Sequence, residues 1–493
     1  MSAVGRWATS PLALVLVVLA VYAVVVVDST DNDPSLAPFT ASSLVRDGDT
    51  DLRDLPPEVL VDRPIVVAGS PAGNVFTSTA AVQAALDRAG PNAAVRDYFP
   101  VVPALLAVPT VVLADTFGPI LGQGDARQLL LEDRFGLLHT LTASIVVALA
   151  VLVARSITLR LVSGPDARRR WIATITALVL AFGTTAWSVA SRALWQHGPS
   201  LLLLLVALWL ILMLRDDTTT PAATRRGVRV AAALGAVLAA AVVTRPTNAV
   251  PTLALVAWVA WCRRDRLAPV LLGGLAVTVL AGVVAAALGL GVPPPYYSAS
   301  RITLGADTLG AIAANLVSPS RGLLVSTPIA LLALPGAWLW WRRPEDRPLV
   351  VALTVWVVGT VLAVSAFTQW WAGHTFAARF TTETLPALLL LAVPAVDAVA
   401  PGRTDAVAPV GPAEVPGWMR SRVALGVVAV LAVWSVGFHA TGAWSRQTSC
   451  WNEGPVDVDD DPGRVWSVTD SQVGRAAGAL VTHGPRRAVA GPC

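Results

Sequence analysis

Apolar positions in this chain run in long unbroken stretches instead of alternating or recurring on one helical face. They fall near residues 11–27, 137–154, 172–190, 199–214, 230–243, 249–262, 268–290, 323–341, 349–367, 384–400 and 423–441. Crossing about 30 Å of hydrocarbon takes on the order of 20 apolar residues as a helix. Lipid offers the backbone no partner, so only helices and closed barrels span it. Barrel strands alternate in polarity, whereas 201–214 and 231–243 are apolar on every side. The pattern predicts an all-α polytopic membrane protein of about eleven transmembrane helices. The first run follows Arg6 and passes into AVVVVDST with no small-x-small cleavage site, so residues 1–27 read as the first transmembrane helix, not a signal peptide.

Between the first and second runs lies a segment without a convincing span, residues 28–136. Its stretch DYFPVVPALLAVPTVVLAD is broken by Pro100, Pro103 and Pro109, which predicts an interfacial or re-entrant helix near 98–121. Residues 137–441 then hold helices two to eleven, and 442–493 form a polar tail.

Composition agrees with a lipid solvent: 55% of residues are hydrophobic and 14% charged, with a mean hydropathy of +0.64. Soluble domains carry charge on nearly a quarter of their residues. All 36 basic residues are arginine, which together with the Ala/Val/Leu bias looks like a GC-rich bacterial genome. The sequence pI of about 9.4 does not point to nucleic acid, because the arginines are dispersed between apolar runs. They follow the positive-inside rule instead. With the N-terminus inside, the alternate loops ARSITLRLVSGPDARRRW, RDDTTTPAATRRGVRV, CRRDRL, WRRPEDR and PGRTDAVAPVGPAEVPGWMRSR each carry three or more arginines. The expected orientation is N-in, C-out. It leaves Cys450 and Cys493 in an oxidising compartment, where a disulfide between them is permitted.

On that outer face the chemistry gathers. The segment from Asp28 to Asp133 holds fifteen acidic residues, and Asp28, Asp31 and Asp33 stand at the lipid boundary. Such residues also end helices and start turns. A carboxylate at membrane level is equally a candidate general base or metal ligand. The short outer connections each carry an arginine near the hydrocarbon edge, among them Arg192, Arg245, Arg301, Arg321 and Arg379, and they add His197, His374 and Glu383. One such arginine commonly snorkels, but a rim of guanidinium and imidazole groups above apolar helices suits a lipid phosphate, which Arg binds bidentately. Trp187, Trp195, Trp370 and Trp371 read more readily as interfacial belt residues than as sugar platforms. No Walker A loop, strand-linked GxGxxG, CxxC or HExxH occurs, so nucleotide hydrolysis, a dinucleotide cofactor and a zincin centre lack support.

The acidic start DSTDNDPSLAPFTASSLVRDGDTDL, then YFPVVPALLAVP, ALWQHGPSLLLL, TRPTN, SPSRGLLVSTPIALLALPG and WWAGHTFAARFTTETLP, together resemble bacterial membrane glycosyltransferases of the GT-C fold class over about residues 10–400. By its composition the relative is of an actinobacterial kind. The resemblance implies transfer of a sugar from a polyprenyl-phosphate carrier to an acceptor outside the cytoplasmic membrane, such as a cell-envelope glycan, lipid or protein. It places a base on Asp28, Asp31 or Asp33, without singling one out. Donor-phosphate contacts would fall on Arg379, Arg321, Arg301, Arg245, His374 and His197, with Glu383 supporting them. No dedicated metal site is expected, although a divalent cation between carboxylate and phosphate is left open. The segment 54–97 and the tail after Trp444 have no counterpart in the family and are candidates for shaping the acceptor site. A transporter or flippase of a lipid-linked or anionic substrate is the alternative; it would show polar residues at mid-membrane depth and internal repeats.

Overall fold

Each apolar run is largely helical in the computed structural model, which describes residues 8–24, 35–67, 75–132, 136–216, 221–290, 302–305, 307–403 and 415–490. Asp28, Asp31, Asp33, Arg301 and Cys493 lie outside the described residues. The helices are α1 (Pro11–Ala23), α2 (Ala37–Arg46), α3 (Thr79–Ala89), α4 (Val102–Phe117), α5 (Ala126–Glu132), α6 (Leu137–Leu161), α7 (Asp166–Phe182), α8 (His197–Arg215), α9 (Pro221–Thr244), α10 (Ala249–Cys262), α11 (Leu267–Ala287), α12 (Asp307–Val317), α13 (Ala333–Trp341), α14 (Arg347–Ser365), α15 (Leu385–Val399), α16 (Arg422–Trp444), α17 (Gln447–Glu453) and α18 (Gln472–Ala490). Seven are long and apolar enough to cross a bilayer: α6, α8, α9, α11, α14, α15 and α16, some with their flanking turns. The other four expected spans are helical but shorter. The run near 172–190 divides because α7 ends at Gly183 and a π-helical turn, Ala186–Ala190, follows. Pro328 divides the run near 323–341, starting a 3-10 segment before α13.

In the bundle α8 packs between α6 and α9, and α15 closes on α13 and α14. Close approach depends on small residues, as expected where lipid supplies no hydrophobic drive between helices. A Cβ on Gly336 of α13 would stand 1.9 Å from the Leu391 carbonyl oxygen of α15, and one on Gly235 of α9 would stand 1.8 Å from the Val270 oxygen of α11. At one end of the bundle a buried carboxylate, Asp397, accepts from Ser163 Oγ at 2.8 Å and Arg168 Nη1 at 2.7 Å, pinning α15 to the turn between α6 and α7. The other end of α15 carries the site described below.

Within the helical fold, part of the segment 28–136 forms a small lobe in which two short strands accompany the helices. Strands β1 (Ile65–Val67) and β2 (Val95–Asp97) pair antiparallel, Ile65 facing Asp97. Leu36, Phe39, Leu52, Leu60, Ile65, Val82, Leu86 and Val95 form its core, which continues through Val111 of α4 to Leu138 of α6. Many of its acidic residues have local structural work. Asp51 Oδ1 accepts from the Val95 N–H at 2.8 Å, Asp115 Oδ1 from the Ala126 N–H at 2.8 Å, and Asp54 pairs with Arg127 and Arg46. Three-residue strands are too short to show alternation, which is why the lobe has no signature in the sequence.

If the α13–α15 contact depends on Gly336, then Gly336→Ala lowers the unfolding midpoint in detergent, at an overpacking cost of about 1–3 kcal/mol. Gly437→Ala, where nothing lies within 4 Å of the added methyl group, leaves the midpoint unchanged or raised.

Candidate functional site

The segment leading into α15 reads RFTTET, and its polar residues are buried: Arg379, Thr381, Thr382, Glu383 and Thr384 all face protein. Threonine hydroxyls satisfy the 3-10 turn from within, Thr382 Oγ1 donating to the Arg379 oxygen at 2.6 Å and Thr384 Oγ1 to the Thr381 oxygen at 2.6 Å. Thr382 also meets Thr185, beside the π-helical turn, at 2.8 Å. The turn holds Glu383 where four elements converge.

Glu383 is 2% exposed. Its Oε1 accepts from His197 Nδ1 at 2.7 Å, and its backbone oxygen accepts from Trp356 Nε1 of α14 at 2.9 Å. With the Nδ1 hydrogen donated to Glu383, Nε2 is free to accept, and Arg245 Nη1 stands 2.8 Å from it; the same Nη1 is 2.9 Å from Nδ1 and 3.6 Å from the Glu383 carboxylate. The result is a buried Arg245–His197–Glu383 cluster, in which a carboxylate is stabilised by one imidazole hydrogen bond and a guanidinium. Arg379 takes a different position. Its Cζ lies 4.2 Å from the centroid of the Trp195 ring and 5.3 Å from that of Phe380, and its Nη2 donates to the Ala372 oxygen at 2.6 Å.

Trp195 lines a small polar recess together with Ser188, Arg192, His374, Thr375, Ser449 and Asn452. Arg192 Nη2 donates to the Tyr22 oxygen at 2.5 Å, so the last turn of α1 ends beside this recess. A second cavity is apolar and larger, about 260 Å³. It runs between α7, α15 and α16, lined by side chains such as Val179, Leu180, Leu388, Leu389, Leu425 and Val428, with Thr184 and Thr327 among its few polar residues. The two spaces are joined by one histidine. His439, fully buried, meets Thr327 Oγ1 of the apolar groove at 2.9 Å through Nε2 and Ser188 Oγ of the polar recess at 2.7 Å through Nδ1.

Not every expected phosphate ligand is placed for that role. Arg321 is 1% exposed, and its five N–H groups all have protein acceptors. Nε donates to the Trp371 oxygen, Nη1 to the Thr375 oxygen and Gln472 Oε1, and Nη2 to the Gly373 oxygen and Asn452 Oδ1, all between 2.6 and 3.0 Å. Its guanidinium is therefore a clamp between the loop after α14 and the C-terminal tail, with no donor left for an oxyanion. His374 also turns to the tail: its Nε2 donates to Asp457 Oδ1 at 2.8 Å. Partial burial raises the Asp457 pKa, but this hydrogen bond and that from the Asp459 N–H outweigh it and hold the carboxyl below its ordinary value. Cys450 in the tail is disulfide-bonded and Cys262 is free. The expected donor contacts leave out Arg192, Trp195, Ser188 and His439, although Arg192 belongs to the outer arginine rim. The motif SRALWQHGPS did place Arg192 and Trp195 beside His197, but their contacts depend on distant helices.

No protein-family model matches this sequence, and no curated protein does. Among solved structures the chain is similar to ArnT from Cupriavidus metallidurans bound to undecaprenyl phosphate, at 18% identity over 97% of this chain and 80% of that one, with a TM-score of 0.48. It is also similar to the oligosaccharyltransferase of Archaeoglobus fulgidus tethered with an acceptor peptide, at 13% identity over 94% of this chain and 60% of that one, TM-score 0.47. The apo form of that enzyme gives 12% identity and the same TM-score. Likenesses at this level assign no role to any residue; those follow from the contacts above.

The Arg321 clamp yields a direct expectation. Arg321→Lys keeps the charge but cannot reproduce a five-donor fork, so it destabilises the tail by about 2–4 kcal/mol, and limited proteolysis cuts the 445–475 region at a protease concentration that leaves the parent chain intact.

Proposed function

We propose that this chain is a polytopic glycosyltransferase of the GT-C kind, which moves a sugar from a polyprenyl-phosphate donor to an acceptor hydroxyl on the extracytoplasmic face of the cytoplasmic membrane. One observation carries the reading: an apolar groove and a polar recess bordered by Arg192 and Trp195 lie on either side of His439, and the Trp195 ring lies under Arg379. An isoprenoid chain with a charged head group has that division of polarity, apolar along its length and anionic at its end. The residue motifs quoted above point to the same chemistry.

In this reading the groove takes the isoprenoid and the recess takes the phosphate-linked sugar. Arg379, stacked on Trp195 and tied to the Ala372 oxygen, is the guanidinium placed to stabilise the departing phosphate. Arg245 and His197 act one step back, holding Glu383 and through it the turn that positions Arg379. A first-loop carboxylate, Asp28, Asp31 or Asp33, accepts the proton of the acceptor hydroxyl. The acceptor oxygen then forms a bond to the anomeric carbon on the face opposite the phosphate. The carbon–oxygen bond to phosphate breaks, its electron pair leaves with the lipid phosphate, and the configuration inverts. Arg192 holds the end of α1 at the recess, and the acidic segment follows α1 in the sequence. The acceptor is a hydroxyl of a cell-envelope glycan, lipid or protein.

The test is transfer in proteoliposomes from polyprenyl-phosphate sugars, followed by detection of a new glycosidic bond. Arg379→Gln is expected to lower kcat by about 10²–10³-fold, as does loss of one donor to a developing oxyanion. Among Asp28→Asn, Asp31→Asn and Asp33→Asn, one variant is expected to lose about 10²–10⁴-fold, the range of general-base contributions. Full turnover in every single variant and in the triple variant removes the base assignment. Movement of the lipid-linked sugar across the bilayer with no glycosidic bond formed replaces the reading with a transporter.

A further inference from the structure

Three metal-ligating side chains meet where the loop after α14 touches the C-terminal tail. His374 and Asp457 are 83 positions apart in sequence, yet Nε2 and Oδ1 stand 2.8 Å from each other. Asp459 completes the group, with one donor atom of each residue within 4.8 Å of the other two. The charge of this cluster is unbalanced. Two carboxylates share one imidazole, and among the described residues no arginine comes within salt-bridge distance of either. The guanidinium that acts on Asp457 from further away, Arg464, donates elsewhere, to the Trp451, Gly454 and Val456 oxygens and to Asp470.

The group is also held in place by residues that are not part of it. Arg321 donates to the carbonyl oxygens of Gly373 and Thr375, on either side of His374, and to Asn452 of the tail. The Asp459 carboxylate accepts from Trp371 Nε1 at 2.6 Å and from Gln369 Nε2 at 3.3 Å. Carboxylates and imidazoles oriented by such outer hydrogen bonds are what metal centres use to fix their ligands.

We propose that His374, Asp457 and Asp459 bind one divalent transition cation, of the Zn²⁺ or Mn²⁺ kind, which clasps the C-terminal tail to the loop bearing Arg379. A nitrogen and two carboxylate oxygens suit these ions, where an all-oxygen set would suit Ca²⁺ or Mg²⁺. On binding, Nε2 offers its lone pair to the ion: the proton it held toward Asp457 moves to Nδ1 in a neutral ring, or passes to solvent from a ring protonated on both nitrogens. Three protein ligands leave a position for water or a ligand oxygen. Because His374 also lines the polar recess, the ion stands at its rim. The site rests on geometry and charge and is independent of the transferase reading.

The full chain, stripped of metal with a chelator and held in detergent without donor or acceptor, is titrated with Mn²⁺ under electron paramagnetic resonance and with Zn²⁺ by calorimetry. One ion per chain is expected, with nitrogen coupling from one imidazole. Asp459→Asn, nearly isosteric, weakens binding at least tenfold. His374→Gln removes the nitrogen coupling, and Trp371→Phe, which deletes an outer hydrogen bond, weakens binding by about tenfold or more. Asp460→Asn, at an exposed neighbour in the same acidic run, leaves binding unchanged. Absence of saturable binding overturns the proposal. So does binding retained in Asp459→Asn, or equal weakening in Asp460→Asn, which marks diffuse attraction to the acidic run.

Discussion

The buried carboxylate of Glu383 is the constraint on which the arrangement of the site depends. An ionised group removed from water is costly unless it is both paired and hydrogen-bonded, and here its partners come from separate elements. His197 stands at the start of α8, Arg245 at the turn after α9, and Trp356 in α14 donates to the backbone of Glu383 itself. Satisfying one carboxylate therefore fixes the relative positions of α8, α9, α14 and α15 at this end of the bundle. Asp397 does the same at the other end of α15 through Ser163 and Arg168. Between these two anchors α15 has little freedom to slide, and the Gly336 contact removes what remains.

The loop between α14 and α15 is positioned by a different device. Arg321 takes three of its carbonyl oxygens and two side-chain amides of the tail, so loop and tail form one unit. The tail after Trp444 is thereby joined to the recess. It supplies Ser449 and Asn452 to the recess and Asp457 and Asp459 to His374.

The groove and the recess differ in polarity. The groove is lined by aliphatic side chains of three helices, and the recess by hydroxyl, amide and guanidinium groups. His439, bonded to Thr327 on one side and Ser188 on the other, marks the boundary between the two. A buried histidine in that position reads as a spacer that keeps a hydroxyl-bearing wall in place, since both of its nitrogens are already hydrogen-bonded.

What the sequence determined alone was the solvent and its consequences. Lipid forces backbone satisfaction within helices, so unbroken apolar runs could be read without tertiary knowledge, and lipid edges concentrate polar residues at helix ends. The same logic brought Arg245, His197, Arg379 and Glu383 into one list, and the fold brings them to one end of the bundle. Their roles were beyond its reach. Arg321 and Arg379 look alike in sequence, one arginine per connection, yet the first is closed by carbonyl oxygens and the second stacks on Trp195 beside a recess. That difference arises from which distant acceptors come within 3 Å, and local pattern carries no information about it. The α/β lobe was invisible because its strands are three residues long, and the His374–Asp457 contact because it joins positions 83 residues apart. Tertiary structure alone decided which acceptors and rings each polar group at the membrane edge meets.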